Sequence, residues 1–467
     1  METDVQNSKK RNKQPLIIIA LVSILALGYL LGACFFQTHF GFRTFVNGVD
    51  CSLCDMNAVK ERLKEQAVNY RLQIIGRDGV SDEISAAELP LQIHLDDAAI
   101  SETMISQPIL LWPKGLFQRT DLELGATASF DETTLGELIS GLTFFEKANL
   151  KSPVDACLSE YQESTNSFEI IPEEQGTQPN YQKTLQAISL AIGEMDSQLD
   201  LESAACYVAP KVLASDQTMI NLAAKANKIV SSKVVYDWNG EEITVDVSTF
   251  RDWFEIRGFG IYFNDDLISE YLAECAYAHD TYGKSAVFTT VNGSTRELKR
   301  SGFGWKCDRE AELLQLKKDL QTGEEIHRTP IYAYEAPATG EQDYGTSYVE
   351  VDLGLQHVYV LIEGEIVYET DCVSGNMSNG SATPPGIFDI TYKEKDATLR
   401  GETYTSHVHF WMPFNGDIGM HDATWRSEFG GDIYLTSGSH GCVNLPYSAA
   451  KTIYDYVSKD FPVICYY

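Results

Sequence analysis

Residues 16–36 (LIIIALVSILALGYLLGACFF) carry no charged side chain, and that run dictates the layout of everything after it. At about 1.5 Å rise per residue it is long enough to cross a hydrocarbon core of about 30 Å as one helix. Lys9, Lys10, Arg11 and Lys13 stand just ahead of it, and basic flanks stay on the cytoplasmic side. The pattern predicts residues 1–14 as a cytoplasmic tail, 15–36 as a single transmembrane helix, and the rest of the chain outside. A cleaved signal peptide competes, but the apolar run exceeds the usual h-region and no clear A-x-A site follows. Leu31-Gly32-Ala33-Cys34 resembles a lipoprotein processing box, although Phe35-Phe36 continues the apolar run beyond the cysteine. Either way the bulk of the chain is held at the outer face of a membrane.

With 467 residues the chain exceeds one ordinary core, and the usual domain size implies about three. Its 36 basic against 67 acidic residues give a formal charge of -31, which excludes nucleic acid as a partner, because phosphate backbones are held by positive surfaces. Export permits disulfides, but the cysteines at 34, 51, 54, 157, 206, 275, 307, 372, 442 and 465 follow no framework spacing. Cys51 and Cys54 form a CxxC without a second pair at zinc-ligand spacing, so a structural role is favoured over metal or redox work. No cofactor or metal is implied.

Chemistry is concentrated near the C-terminus. Ser439-His440-Gly441-Cys442-Val443-Asn444 follows a second histidine in Gly419-Met420-His421-Asp422. A thiol is a useful acyl-transfer nucleophile only as its thiolate, and an unperturbed cysteine with pKa about 8.5 is only slightly ionised at neutral pH. It needs a base. His440 could flank Cys442 on an extended strand but would be pinned there by sequence; His421, carried alongside by the fold, is the stronger candidate. Ser439 and Asn444 are expected to tie down the turn, and backbone N–H groups of Gly441 and Cys442 are candidate oxyanion donors. His421 needs a third group to fix its tautomer. Adjacent strand side chains point apart, so the Asp422 backbone carbonyl ranks ahead of its carboxylate. Tyr404, His409 and Trp411 could line a substrate groove.

A histidine, a gap, then Ser-His-Gly-Cys, an apolar residue and Asn resembles the signature of the L,D-transpeptidase (YkuD-type) family, the cysteine enzymes that cross-link bacterial peptidoglycan. Residues 348–364 (YVEVDLGLQHVYVLIEG), Val373-Ser374-Gly375, Thr383-Pro384-Pro385-Gly386 and Trp411-Met412-Pro413-Phe414 also resemble that catalytic domain, so the resemblance covers 346–467. It implies attack by Cys442 on a donor tetrapeptide stem between residue three and the terminal D-alanine, and transfer of the acyl group to an amine of a neighbouring stem in a three-to-three cross-link. It also implies that carbapenems acylate Cys442 while most penicillins act poorly. Water or a free amino acid as acceptor would make an L,D-carboxypeptidase or exchange enzyme, and a non-catalytic wall-binding protein is the alternative of another class.

The expected fold is multidomain: the N-terminal helix, α+β accessory modules, and a mostly-β sandwich with one helix at Ser448 to Val457, where Ala450, Ile453, Tyr454 and Val457 share a face. Glu363-Gly364-Glu365 reads as a hairpin turn. Asp432 to Leu435 reads as a strand flanked by Gly430-Gly431 and Gly438. Upstream, an echo at an offset of 128 residues aligns Gly176, Asn180, Leu185, Ile188 and Ile192 with Gly304, Asp308, Leu313, Leu316 and Leu320. It defines two related modules, 116–213 and 214–340, which resemble the peptidoglycan-binding module ahead of Gram-positive L,D-transpeptidases. Residues 37–115 read as a separate membrane-proximal α/β segment, and Ala336 to Tyr344 as a linker. Trp238, Trp253 and Trp305 read as core or edge residues rather than a sugar platform.

Overall fold

The computed structural model describes residues 14–124, 126–401 and 405–467; the basic cluster Lys9 to Lys13 and Tyr404 lie outside them. The chain forms two compact units, one of residues up to 157 with 171–216, the other of 158–170 with 217–467.

In the first unit the helix Gln14–Phe35 contains one span, Ile17–Phe35, long and apolar enough to cross a membrane. Beyond it a small sheet sets Thr44–Val46 between Val49–Asp50 and Thr120–Leu122. Cys51 and Cys54 are buried there as free thiols, packed with Phe40, Val46, Val59 and Ile100. Then come helix Met56–Val68, the hairpin Arg71–Ile75 and Ser81–Ser85, and strand Gln92–Leu95 paired with Ala126–Ser129. Helices Glu132–Ser140 and Tyr181–Gly193 follow, and strand Gln198–Asp200 returns parallel to Arg71–Ile75.

The second unit repeats this order. Helix Gln217–Ser231 leads into the hairpin Lys233–Trp238 and Glu241–Val245, the hairpin Phe254–Arg257 and Gly260–Phe263, and helix Asp265–His279. After the hairpin Ser285–Thr289 and Thr295–Lys299 comes helix Arg309–Asp319, and strand Glu325–Arg328 returns parallel to Lys233–Trp238. The matching final helices begin alike: Asn180 and Asp308 each accept an N–H three residues on, from Lys183 and Ala311, both at 3.1 Å. Gly176 and Gly304 sit at φ +55° and +112°, where an added Cβ would stand 2.5 Å from Lys151 O and 2.8 Å from Tyr282 N. The repeat is thus longer than the sequence echo, and the boundary expected at 115/116 falls inside it. Strands Gln92–Leu95 and Ala126–Ser129 are partners separated by an insertion, where the second unit joins the corresponding strands through Gly258 and Phe259. That insertion breaks the constant offset and hides the first half of the repeat. Trp238 and Trp253 are buried, and Trp305 donates its indole N–H to Ala338 O at 2.7 Å.

Among the described residues the catalytic segment holds nine strands: β1 (Tyr348–Asp352), β2 (His357–Ile362), β3 (Glu365–Asp371), β4 (Gly386–Asp389), β5 (Glu394–Arg400), β6 (Thr405–Asn415), β7 (Ile418–Asp422), β8 (Val443–Leu445) and β9 (Pro462–Tyr466). One sheet runs β3-β2-β1-β9-β4 and the other β5-β6-β7-β8. Both are mixed, since β1 runs parallel to β9 and β7 to β8. Val349, Val351, Val358 and Val463 from one sheet meet Phe410, Met412, Met420 and Val443 from the other, and helix Tyr447–Tyr456 adds Ala449, Ala450 and Ile453. Glu363 and Gly364, at φ +50° and +83°, make the two-residue turn between β2 and β3.

Two expectations are corrected. The sandwich carries a second, short helix, Ile433–Ser437, where a strand was expected. β7 already has β6 and β8 as neighbours, so this segment cannot pair with the strand it follows, and left-handed Gly430 and Gly431 turn it out of line. Ala336 to Tyr344 is a packed strap rather than a linker. Asp343 is fully buried against Arg300, itself 3 % exposed, at 2.9 Å, and Thr281 Oγ1 donates to the same carboxylate at 2.6 Å. Tyr344 and Ala336 join Phe288, Leu298, Tyr348, Ile387 and Tyr466 in one cluster, which welds the Ser285–Lys299 hairpin to the β1 sheet.

Removing one partner of a buried ion pair strands the other charge at a cost of about 3–5 kcal/mol. Arg300→Met is therefore expected to lower the unfolding free energy of the second unit by about 3–5 kcal/mol, read as a fall in its urea midpoint by tryptophan fluorescence; an unchanged midpoint would show that the strap contributes nothing.

Candidate active site

Register builds the site. Strand β8 pairs with β7 so that Met420 faces Val443 and His421 faces Asn444. Met420 and Val443 point into the core, so by strand alternation His421, Cys442 and Asn444 share the opposite face. Cys442 is 8 % and His421 4 % exposed. Together with Ser439, His440, Trp425 and Arg426 they line a cavity of about 180 Å³.

His421 is held from several sides. Its Nδ1 hydrogen-bonds the Asp422 backbone carbonyl at 2.9 Å, which leaves Nε2 for chemistry. The imidazole lies between two indoles, 5.8 Å from Trp411 and 5.9 Å from Trp425, centroid to centroid. The Asp422 carboxylate is engaged elsewhere: it accepts the N–H groups of His409 and Phe410 at 2.7 and 2.9 Å and contacts His409 Nδ1 at 2.8 Å. Asp422 thus positions His421 through its main chain and β6 through its side chain.

The nucleophile loop is clamped from inside. Ser439 Oγ bonds Cys442 O and accepts the Gly441 N–H at 3.0 Å. Thr383 Oγ1 donates to Gly441 O at 2.7 Å and accepts from Gly375 N at 3.0 Å. Gly441 takes φ +123°, which any side chain would strain. The Gly441 amide is thus engaged by Ser439. The amide that faces the sulfur is that of Gly419, where a Cβ would stand 2.6 Å from Met412 O and from Pro413 Cα. His440 is exposed on the rim of the cavity, and Asn444 is buried with its Oδ1 unpartnered among the described residues. His409 and Trp411 do not line the cavity, and Tyr404 lies outside the described residues.

Electrostatics set the resting state. Burial pushes the Cys442 thiol up to about 11, Asp417 adding to this and the Gly419 amide opposing it. Burial likewise pulls His421 below its ordinary 6.5; the Asp422 carbonyl and charge oppose the shift, and Arg426 reinforces it. The thiol proton is directed at Asp417 O, 3.6 Å away. Both groups are neutral near pH 7: a thiol beside a free base rather than a thiolate–imidazolium pair.

Thr383, Gly419, Trp425 and Arg426 were not among the residues singled out for roles. Thr383 stood in a quoted motif, but its contact with Gly441 spans 58 positions of sequence, and nothing local announces it. Arg426 had one available signal, a cation between the two halves of the motif in a strongly acidic chain.

The chain matches the family model described as "L,D-transpeptidase catalytic domain" over residues 346–465 and the model described as "Putative peptidoglycan binding domain" over 215–327. No curated protein matches. Among solved structures, a mutant of Enterococcus faecium L,D-transpeptidase is 30 % identical, the alignment covering 52 % of this chain and 98 % of that one with a TM-score of 0.46. The catalytic domain from the E. faecium enzyme is 42 % identical over 26 % of this chain and 96 % of that one, with a TM-score of 0.24. The same domain acylated by ertapenem is 41 % identical over 26 % and 98 %, with a TM-score of 0.25.

Two measurements check the site. Because the thiol is neutral and its pKa raised, alkylation of Cys442 by iodoacetamide, read on its own peptide by mass spectrometry, is expected to climb with pH without levelling until about 11; a plateau from acid to neutral pH would mean an ion pair. Thr383→Val leaves the buried Gly441 carbonyl without its donor, so a loss of about 1–3 kcal/mol of stability is expected, with slower alkylation at Cys442; a variant matching wild type in both would remove Thr383 from the site.

Proposed function

This chain belongs to the L,D-transpeptidase family and is a peptidoglycan L,D-transpeptidase, a cysteine-dependent acyltransferase, and on that premise we propose the course of its reaction. Cys442 Sγ bonds to the carbonyl carbon of residue three of a donor tetrapeptide while its proton passes to His421 Nε2. The carbon–nitrogen bond to D-alanine breaks, His421 returns the proton to the departing amine, and a thioester remains. An amine of a neighbouring stem attacks the thioester, gives its proton to His421, and leaves as the three-to-three cross-link, the thiol being restored. The observation that carries this reading is the shared face of β7 and β8, with His421 fixed through Nδ1 to the Asp422 carbonyl. The two indoles beside the imidazole favour the imidazolium formed in each half-reaction. The Gly419 amide supports the thiolate as it forms.

We further propose that the helix Gln14–Phe35 anchors the chain with its N-terminus in the cytoplasm and the catalytic segment in the wall zone. The insertion of the first unit supports this: Trp112 donates its indole N–H to Tyr29 O at 3.1 Å, while Leu110, Leu111 and Phe117 stand exposed beside the helix. Aromatic rings and bare apolar side chains at the end of a span belong at a membrane interface. The match over 215–327 supports a wall-binding role for the module ahead of the catalytic segment.

The test is mass spectrometry of the full chain in detergent with a disaccharide-tetrapeptide donor, wild type against Cys442→Ala. A dimer with released D-alanine, lost in the variant, is expected. Release without dimer would make the protein a carboxypeptidase, and no release from folded protein would leave wall binding as its role. In parallel, ertapenem is expected to add its mass at Cys442 of the wild type only.

A further inference from the structure

Among the described residues lining the cavity beside Cys442 is a cation, Arg426, whose role the reaction above leaves open. We propose that Arg426 is the donor-carboxylate site: its guanidinium binds the free C-terminal carboxylate of the stem peptide, the one that departs with D-alanine. The inference rests on the transpeptidase reading and adds the group that makes the enzyme act at a chain end.

The first support is the missing partner. The other arginines that are buried or partly so all have acceptors: Arg77 meets Glu202, Arg300 meets Asp343, Arg328 meets Glu312 and Asp319, and Arg296 donates to Tyr467 O and Thr295 O. In a chain with 67 acidic residues that is the expected outcome. Arg426 is half-buried, makes no ion pair among the described residues, and has its Nε fully buried with no acceptor. A buried donor left unpaired costs stability unless something else completes it. The Asp422 carboxylate, four residues before Arg426, is engaged elsewhere, both its oxygens being taken by His409 and Phe410.

Position is the second support. The Arg426 N–H closes a turn on Ala423 O at 3.0 Å, directly after β7, which sets the side chain in the cavity wall with His421 and Cys442. Its charge is felt by His421, whose proton affinity it lowers. Burial alone lowers the affinity of Arg426 itself, with no opposing anion to restore it. In the donor the terminal carboxylate lies one residue beyond the scissile carbonyl, about 3.5 Å of chain. A guanidinium fork matches a carboxylate with two parallel hydrogen bonds, which a point charge cannot do. Bound there, the carboxylate would fix the scissile bond over Cys442 and reject stems that continue past residue four.

The experiment compares two donors, a disaccharide-tetrapeptide ending in the D-alanine acid and the same molecule ending in D-alaninamide, on wild type, Arg426→Met and Arg426→Lys. Wild type is expected to prefer the acid by about 10- to 100-fold in kcat/KM, as for a hydrogen bond to a charged group. Arg426→Met should bring the acid-to-amide ratio close to one, mostly through KM, and Arg426→Lys should restore part of it. A wild type indifferent to the amide, or an Arg426→Met loss equal on both donors, would overturn the inference. Iodoacetamide alkylation of Cys442 in each variant reports whether the nucleophile is intact. Should wild type release nothing from either donor, the transpeptidase reading falls and takes this site with it.

Discussion

Everything the catalytic segment does depends on the parallel pairing of β7 with β8. The two strands are brought together from opposite sides of a connection that holds the Gly430-Gly431 turn and the short helix Ile433–Ser437. A slip of one residue would send every side chain of β8 to the other face, putting Cys442 and Asn444 in the core and Val443 in the cavity. Register is locked on both sides. Val443 and Leu445 belong to the main core, and Asn444 exchanges both backbone hydrogen bonds with Val373 at 2.9 Å. Gly375 and Gly438 let three backbone segments meet, since an added Cβ would lie 2.0 Å from Ser381 O at the first and 2.5 Å from Asn376 N at the second.

That tight enclosure has a chemical cost that the mechanism accommodates. Burying a thiol next to an equally buried imidazole disfavours charge on both, so the pair rests neutral. An exposed thiolate would be open to every electrophile around it, whereas a protonated thiol is inert until a substrate carbonyl arrives. In the proposed reaction activation belongs to the bound complex, where proton transfer to His421 and bond formation to carbon would proceed together, helped by the indoles at the imidazole and the Gly419 amide at sulfur.

The chemistry-bearing residues were legible because their spacing is local. Ser439 to Asn444 occupy one turn and strand, and the ranking of the Asp422 carbonyl over its carboxylate followed from strand alternation alone, the geometry the structure shows. Hidden from the sequence were contacts made across distance. Thr383 reaches Gly441 from the loop ahead of β4, and the Gly441 amide is claimed by a serine that composition marks only as a turn former. Asp432 to Leu435 read as a strand because local pattern does not record that β7 already has a partner on each side. The accessory repeat was half visible for a similar reason: its second half keeps a constant offset, while the insertion between Gln92–Leu95 and Ala126–Ser129 shifts the first half out of step.

The packed strap gives the second unit its mechanical character. Were Ala336 to Tyr344 flexible, the module ahead of it would tether the active site loosely. Instead Glu350 of β1 is fully buried and accepts the Val291 N–H at 3.0 Å and the Tyr466 hydroxyl at 2.5 Å. A residue from the hairpin and one from the last strand thus converge on a single carboxylate. Such a buried polar junction holds only in one arrangement, because any sliding strands the carboxylate without donors. Buried contacts on both faces thus join the Ser285–Lys299 hairpin to the catalytic sandwich, and any displacement of one against the other must first break them.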